Sequence, residues 1–485
     1  MPSDTPLRVA VTLRRDAPQW HHGVVDAVIA DCGLRIAELF RIESTINPQS
    51  AILNPQYDAV IDLAGVAESA VGPRLVEPRL GVWRFGFGDG ATVADGAPGT
   101  WARLYRLTAD PDRAVVLHEG WYRTRTREAW GTKSVGGRVA AWPARVLRQI
   151  HQGDQRGLDR AAQSTTGCCA LLPPDAPGRV GAAAIDAVDA LRSWTRRQRW
   201  TIGIVPHPIE EIMQRGRIPE PVWLAGQPRD RFYADPFPLS VCGDRIRLLA
   251  EEYIYPSRAK RLGEIEIART GAMRRCHANE SLPQPASYPF LLREDGRLFC
   301  MPETSGNQSV SAFVSDDDGR SWRHDGDLMT GFPFVDATFV EHDGYWWMFC
   351  TKQGDEDQTD LYVFFATGWR GPWQPHPLNP VKSDTRSSRP AGACFTIDGH
   401  LHRPAQNCAR RYGAGITINR VVELSPSAFR EEPVLSLQPS EASPWPDGMH
   451  TINCIGGVTI VDGLRVEQRA PQLLARLKPR APAES

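Results

Sequence analysis

Three acidic residues, Asp235 in YADPFPL, Glu303 in RLFCMPE and Asp336 in VDATFV, define the chemistry this chain could do. Cleaving or transferring a glycosidic bond needs one acid to protonate the leaving oxygen and a second carboxylate to activate water or attack the sugar. Crowding of like charges in a partly dry funnel can raise a carboxyl pKa enough for it to keep its proton at neutral pH. On that chemistry Asp235 is the base or nucleophile, Glu303 the acid, and Asp336 the carboxylate that tunes or orients. The substrate-binding set is Tyr288, Arg389, Arg403, Gln406, Tyr412 and His450. Arginine forks match carboxylate or phosphate, so an anionic sugar, a nucleotide-sugar or an inositol-phosphate head group fits better than a neutral pentose. His450 has no second histidine at ligand spacing, so it is read as a hydrogen-bonding group for substrate, and neither a metal nor a cofactor is expected.

These residues need a scaffold that brings distant segments to one point, and a repeated turn supplies it. Gly243-Asp244, Asp295-Gly296, Asp343-Gly344, Asp398-Gly399 and Asp462-Gly463 each stand between apolar runs, the pattern of a tight hairpin. The glycines recur roughly every 50 to 60 residues, the spacing of propeller blades. Five such hairpins predict five blades. Eight residues before the turn glycine stand Asp235, Tyr288 and Asp336; Arg389 stands ten before Gly399 and His450 thirteen before Gly463. A polar residue at the start of each inner strand would converge on a central channel, with Glu251, Glu252, Glu303, Arg403 and Gln406 on the outgoing strands as the next ring. Ser315-x-Asp317-x-Gly319-x-x-Trp322 matches the Asp-box turn of propellers and is expected to be structural.

The chain has 485 residues, enough for two or three domains, and a formal charge of −1, so no global field recruits nucleic acid or an anionic membrane. Its 10 cysteines form no CxxC pair, and contexts such as LFCMP and WMFCTK predict buried free thiols in a reducing compartment. No stretch reaches membrane-spanning length and MPSDTPLRVAVTL lacks a long apolar signal core, so the expected location is cytoplasmic. LRVAVTL, the segment from Trp20 to Cys32, IAELFRI, YDAVIDLAG and GVWRF predict an open α/β sheet over 1–150. The glycine-rich loop after GVWRF lacks both GxGxxG spacing and a P-loop lysine, so it is read as a corner. A helical bridge is expected over 151–199, with Arg196-Arg197-Gln198-Arg199 as a solvated helix end; the propeller takes 200–467 and a tail 468–485.

The first 150 residues resemble the N-terminal domain of the formyltransferase family. GVWRFGFGDG aligns with that family's Asn-x-His segment, which puts Arg84 and Gly86 at the Asn and His positions and Asp112 at the catalytic Asp. Neither Arg84 nor Gly86 can polarise and handle a proton as imidazole does, so the resemblance implies the fold with degenerate chemistry. An active amino-sugar formyltransferase would need another histidine, such as His118, in place of Gly86. Residues 200–460 resemble the five-bladed arabinanase, xylosidase and invertase superfamily. They are more similar to bacterial relatives of the propeller that precedes the transferase domain in the plant glucosamine inositolphosphorylceramide transferase family, through SYPFLLREDGRLFCMPET, VDATFVEHDGYWWMFCTK, GPWQPHPLNPV, SRPAG, HRPAQNCARRYG and HTIN. The order Asp235, Glu303, Asp336 departs from the hydrolases' Asp, Asp, Glu. The resemblance implies a glycosyl hydrolase or glycosyltransferase type of enzyme acting on a carbohydrate or glycolipid head group. The competing expectations are a non-catalytic glycan-binding or scaffold protein and the formyltransferase.

Overall fold

The computed structural model describes residues 7–14, 17, 19–30, 38–42, 57–63, 78–88, 99–110, 112–123, 135–151, 153–164, 196–354 and 357–468. Two compact units divide the chain, Met1–Asp186 and Ala187–Ser485. Among the described residues no helix is long and apolar enough to cross a membrane.

The first unit is built on one mixed sheet of seven strands in the order β2-β1-β3-β4-β5-β6-β7. These are β1 (Val9–Arg14), β2 (Glu38–Ile42), β3 (Ala59–Asp62), β4 (Val82–Phe87), β5 (Gly99–Leu107), β6 (Arg113–Arg123) and β7 (Gln163–Ser164). The first four are parallel neighbours and the rest antiparallel. Covered on both faces, β1 reads as an almost unbroken apolar run. Helix α1 (Gln19–Ala30) buries His21, Val24, Val25 and Val28, one face at helical spacing. The helices α2 (Val135–Val139) and α3 (Trp142–His151) follow β6.

The expected helical bridge is not what the described part of 151–199 forms. Residues 153–164 are turns ending in β7, and Arg196–Val205 is a strand, β8; AAAIDAVDALRSW lies outside the described residues. The basic run that suggested a helix end is the first part of β8. Its Arg197 and Arg199 both reach Glu467 on the neighbouring strand, so the charges answer a strand partner and not a helix dipole.

The second unit is a five-bladed propeller, five antiparallel sheets of mostly four strands each. After β8, helix α4 (Ile209–Arg215) and β9 (Val222–Trp223) come four blades in chain order. Blade 1 holds β10 (Arg231–Cys242), β11 (Arg245–Ile254), β12 (Ala259–Ala268) and β13 (Met273–Ala278). Blade 2 holds β14 (Ser287–Glu294), β15 (Arg297–Glu303), β16 (Ser309–Ser315) and β17 (Arg323–Thr330). Blade 3 holds β18 (Phe334–His342), β19 (Tyr345–Lys352), β20 (Asp360–Ala366), β21 (Gln374–Pro375) and, paired to β20, β22 (Lys382–Ser383). Blade 4 holds β23 (Phe395–Ile397), β24 (His400–Asn407), β25 (Gly415–Ser425) and β26 (Ala428–Leu437). Blade 5 joins β27 (Ile452–Ile455) and β28 (Val458–Gln468) to β8 and β9, so strands from both ends of the unit share one sheet. That pairing runs in register from Thr459 opposite Val205 to Gln468 opposite Arg196, which closes the ring and covers what would be an open sheet edge.

Four of the five predicted turns are hairpin turns. Asp295-Gly296, Asp343-Gly344 and Asp398-Gly399 have positive φ at both central residues, and Gly243 has φ 56°. The fifth is not: the hairpin of blade 5 turns at Gly456-Gly457, while Asp462-Gly463 lies within β28. There Asp462 is wholly buried, and Gly463 has no room for a Cβ beside Trp223. The Asp-box is a turn between β16 and β17, where the Asp317 carboxylate accepts from the backbone N–H of Arg320 and Ser321, and Trp322 donates to the Gly319 carbonyl.

Blades 4 and 5 meet where the chain has no side chain to spare. Gly392 donates to the Tyr288 hydroxyl, Ile452 donates to the Ala391 carbonyl, and a Cβ on Gly392 would sit 2.0 Å from the Ile452 carbonyl oxygen. A Cβ on Gly399, at the tip of its turn, meets nothing within 4 Å. Both glycines have positive φ. Gly399→Ala should therefore cost only about 1–2 kcal/mol of conformational strain, whereas Gly392→Ala should cost more than about 4 kcal/mol; urea-unfolding midpoints of the two variants check the difference.

Candidate active site

The same backbone device aims the inner-strand residues of blades 1 to 3. Asp235, Tyr288 and Asp336 have φ of 50°, 42° and 52°, and each sits in a register shift, between Ala234 and Phe237, Ser287 and Phe290, Val335 and Thr338. A bulge re-aims one side chain out of the alternation of its strand, at the expense of holding a non-glycine residue in the left-handed region. Each of the three then reaches another blade. Asp235 accepts from Thr451 at 2.7 Å, beside blade 5. Tyr288 meets Thr338 of blade 3 at 2.8 Å and accepts from the Gly392 N–H. Asp336 accepts from Arg389 Nε at 2.7 Å and from Gln406 of blade 4 at 3.0 Å.

At the blade 5 side, His450 is buried and its Nδ1 lies 2.5 Å from Asp462 Oδ2 and 3.6 Å from Asp235 Oδ1. Asp462 Oδ1 accepts in addition from the backbone N–H groups of His450 and Thr451, so this carboxylate fixes both the ring and the chain that carries it. Burial opposes a charged imidazole, but Asp462 and Asp235 outweigh it and raise the His450 pKa to about 9. The ring stacks on Trp200 at 4.0 Å between centroids and meets Tyr412 edge-on. Asp235, His450 and Asp462 offer ligand atoms close enough to share one ion. With no ion bound, the same two carboxylates face the imidazole and favour its protonated form, so a metal would have to displace that proton.

Toward blades 1 to 3 lie Glu251, Lys260, Glu303 and Asp336. Lys260 Nζ is 3.9 Å from Glu251, and the Asp336 N–H donates to Glu303 Oε2 at 3.3 Å. Burial, with Asp235 nearby and only Lys260 and His450 in compensation, raises the Glu251 pKa to about 7. Glu303 and Asp336 also interact through their side chains, so the ionisation of one opposes that of the other. Burial raises Asp336 well above the usual carboxyl range despite Arg389, with Glu303 and Asp235 adding to the rise. Burial opposes ionisation of Glu303 too, yet Lys260, the hydrogen bond from Asp336 and Arg389 outweigh it and lower its pKa. Glu251 and Asp336 are thus the carboxyl groups pushed toward keeping a proton, and Glu303 the one pushed toward giving it up.

Beside this cluster opens a cavity of about 460 Å³ whose lining includes Glu251, His450, Trp200, Tyr412, Lys260 and Arg258. Phe232 and Tyr253 extend the aromatic wall, stacked 5.0 Å apart.

Of the residues expected to bind substrate, His450 and Tyr412 line the cavity. Arg389 lies over the Tyr412 ring with its guanidinium bound to Asp336 and Asp357. Gln406 is wholly buried, donating to Asp336 and to the Pro390 carbonyl. Two assignments need correction. Arg403 has no exposed surface: its guanidinium is clamped by Glu431 and by the Ser387 and Ser388 carbonyls, so it braces blade 4. Tyr288 is equally buried and its hydroxyl is spent between Thr338 and Gly392. Glu252, next to Glu251 on β11, points to the other face, where Arg231 and Arg261 hold it. In the first unit Asp112 is exposed in the turn between β5 and β6, Arg84 is paired to the buried Asp62, and His118 is half-buried against Trp142 and contacts Arg145. Among the described residues no hydrogen bond or ion pair joins an imidazole to Asp112.

Sequence reasoning passed over Lys260, Trp200 and Asp462 as site residues. The first two carried no repeat signal, and Asp462 was read as part of a turn.

This is a five-bladed propeller whose axial cluster of buried carboxyl groups opens into an aromatic-walled cavity. Residues 229–444 match the family model described as glucosamine inositolphosphorylceramide transferase 1, N-terminal. The glucosamine inositolphosphorylceramide transferase 1 of Oryza sativa subsp. japonica is 27% identical over 315 residues, 55% of this chain and 40% of the relative; that of Arabidopsis thaliana is 29% identical over 150 residues, 30% and 20%. The chain thus spans well under half the length of these relatives. Among solved structures, the α-L-arabinofuranosidase PaAbf62A from Podospora anserina overlaps at TM-score 0.36 and 10% identity, covering 47% of this chain and 77% of that one. The family 117 glycoside hydrolase Zg3597 from Zobellia galactanivorans overlaps at 0.34 and 13%, covering 52% and 93%.

Two outcomes are expected. His450 is raised in the folded state from 6.5 to about 9, so its contribution to stability is complete below about pH 6.5 and is lost as pH rises to about 9. The urea midpoint of the wild type should therefore fall across that window relative to that of Asp462→Asn, in which the slope is flattened. Arg403→Met, which leaves Glu431 with Lys382 alone, should destabilise by about 3–5 kcal/mol, read by the same unfolding assay.

Proposed function

We propose that the propeller cleaves or transfers a glycosidic bond, with an anionic glycoconjugate or activated sugar as substrate. The observation that carries this reading is a carboxyl pushed toward keeping its proton in the cavity lining, with a second, buried carboxylate next to the cavity on the adjacent strand. Glu251 lines the cavity with a pKa near 7, and Asp235 lies one residue from Ala234, which pairs with Glu251 across β10 and β11. General acid catalysis works best when the acid's pKa is close to the operating pH. Aromatic walls are suited to the apolar faces of a sugar ring, and the plant relatives carry the name of a glucosamine-transferring enzyme.

In this reading Glu251 gives its proton to the leaving oxygen and Asp235 activates water or attacks the anomeric carbon. The His450 imidazolium and Thr451 hold Asp235 in place. Glu303 and Asp336, with Arg389, set the field around the pair; the role of acid passes from Glu303 to Glu251 because Lys260 and Asp336 keep Glu303 ionised. Whether the acceptor is water or a second hydroxyl is decided by what occupies the cavity.

Glu251→Gln and Asp235→Asn should each lower turnover by about 100-fold or more while the fold is kept. Release of nitrophenol from aryl glycosides and breakdown of nucleotide-sugars are the assays. Because Glu251 must be protonated, the wild-type rate should fall above about pH 7, a limb absent from Glu251→Gln. Unchanged turnover in both variants would overturn the roles given to Glu251 and Asp235, and ligand binding with no turnover by the wild type would make the propeller a glycan-binding module instead.

A further inference from the structure

The deep and outer parts of the cavity differ in charge, and the difference says which way a charged sugar must lie. Deep in the funnel, Asp235, Glu251, Glu303, Asp336 and Asp462, with the half-buried Asp357 at their edge, share three cations, Lys260, Arg389 and His450, and each of those cations is already matched to a carboxylate. An anion brought there would add to a negative surplus in a poorly solvated space. The outer lining is the reverse. Arg196 and Arg258 both line the cavity and both are exposed. Among the described residues neither side chain makes a hydrogen bond or ion pair, whereas neighbouring Arg197 is held by Glu467 and lies over the Tyr255 ring.

The backbone supports a reason for Arg258 beyond solubility. It sits at the tip joining β11 to β12 with φ 56°, a conformation that disfavours a side chain. An arginine held in a strained turn, over a cavity, without a partner is the kind of departure that accompanies a ligand contact. Arg196 approaches the same mouth from the first position of β8, on the ring-closing strand, so the two guanidinium groups come from different blades.

We propose that Arg196 and Arg258 form an anion subsite at the mouth of the cavity that takes the phosphate ester of a sugar or polyol, with the uncharged ring directed inward over Trp200 and the carboxyl cluster. The proposal rests on the glycosidic reading above for the inward part of the ligand. It moves the anion from Arg389 and Arg403, whose guanidinium groups are committed within the protein, to two that are not. Two guanidinium groups bind phosphate through charge-assisted, forked hydrogen bonds, and a soluble sugar phosphate and a lipid head group present the same ester.

The full chain, titrated calorimetrically with glucose 1-phosphate, methyl glucoside and inorganic phosphate, tests it. The wild type should bind glucose 1-phosphate about 10- to 100-fold more tightly than methyl glucoside, the range expected of hydrogen bonds to a charged group. Arg196→Gln combined with Arg258→Gln should abolish that advantage and leave methyl glucoside affinity and the unfolding midpoint unchanged. Vesicles of phosphatidylcholine containing phosphatidylinositol form the lipid arm. Sedimentation with them that needs both arginines assigns the ester to a head group; arginine-dependent binding of glucose 1-phosphate alone assigns it to a soluble ester. Equal loss for charged and neutral ligands in the double variant, an advantage that survives it, or binding in neither arm overturns the subsite. Turnover that depends on Glu251 without any charge preference would keep the glycosidic reading and reject the subsite. Arginine-dependent phosphate binding by a protein that turns over no glycoside would do the opposite.

Discussion

Six carboxyl groups around three cations, most of them shut away from water, is the imbalance on which the rest of the propeller's centre depends. Ionising all six would leave three uncompensated charges in a medium that solvates them poorly. The protein resolves this in two ways. Burial pushes Glu251 and Asp336 toward keeping their protons, Asp336 even against Arg389, and an imidazole is turned into a cation by Asp462 and Asp235 around it. Both responses make the protonation state of the centre a property of the assembled ring, because several of its interactions join residues that are distant in the chain. Asp235 and Thr451 are 216 positions apart, and Asp336 and Gln406 are 70.

The ring must therefore close before the chemistry exists. The pairing of β8 with β28 carries Trp200 and Asp462 on adjacent strands, so the contact that seals the propeller also positions the stacking partner and the counter-ion of His450. The clamp of Arg403 by Glu431 and the close passage of Gly392 by Ile452 do related work in blades 4 and 5, holding the segments that present Arg389 and Gln406 to Asp336.

Much of the scaffold was readable in the sequence because hairpins are local. Asp-Gly between apolar runs gave three of the five turns and the inverted Gly243-Asp244 a fourth, and the eight-residue offset found three residues that share one strained, bulged conformation. The offset found a backbone geometry, however, and not a chemical role. It returned Tyr288, which ties blades together, along with Asp235 and Asp336. The fifth turn was misread because Asp-Gly in β28 mimics a turn while the real one is Gly456-Gly457. What stayed hidden is what depends on long-range pairing. No local pattern says that Arg403 is consumed by Glu431, that a basic run is the closing strand, or that Lys260 lies near enough to Glu251 and Glu303 to decide which of them keeps a proton. Over 165–195 the expected bridge lies outside the described residues.

The account stands on a carboxyl group in the cavity that holds its proton into the neutral range. Carbon-13 NMR of the protein labelled at glutamate side-chain carboxyls, titrated from pH 4 to 9, reads this without a substrate or an assay. One glutamate resonance should titrate near pH 7 and vanish in Glu251→Gln. If every glutamate carboxyl in the folded protein titrates below about pH 5, close to the value for a free side chain, the funnel holds no such acid and the proposed chemistry has no proton to give.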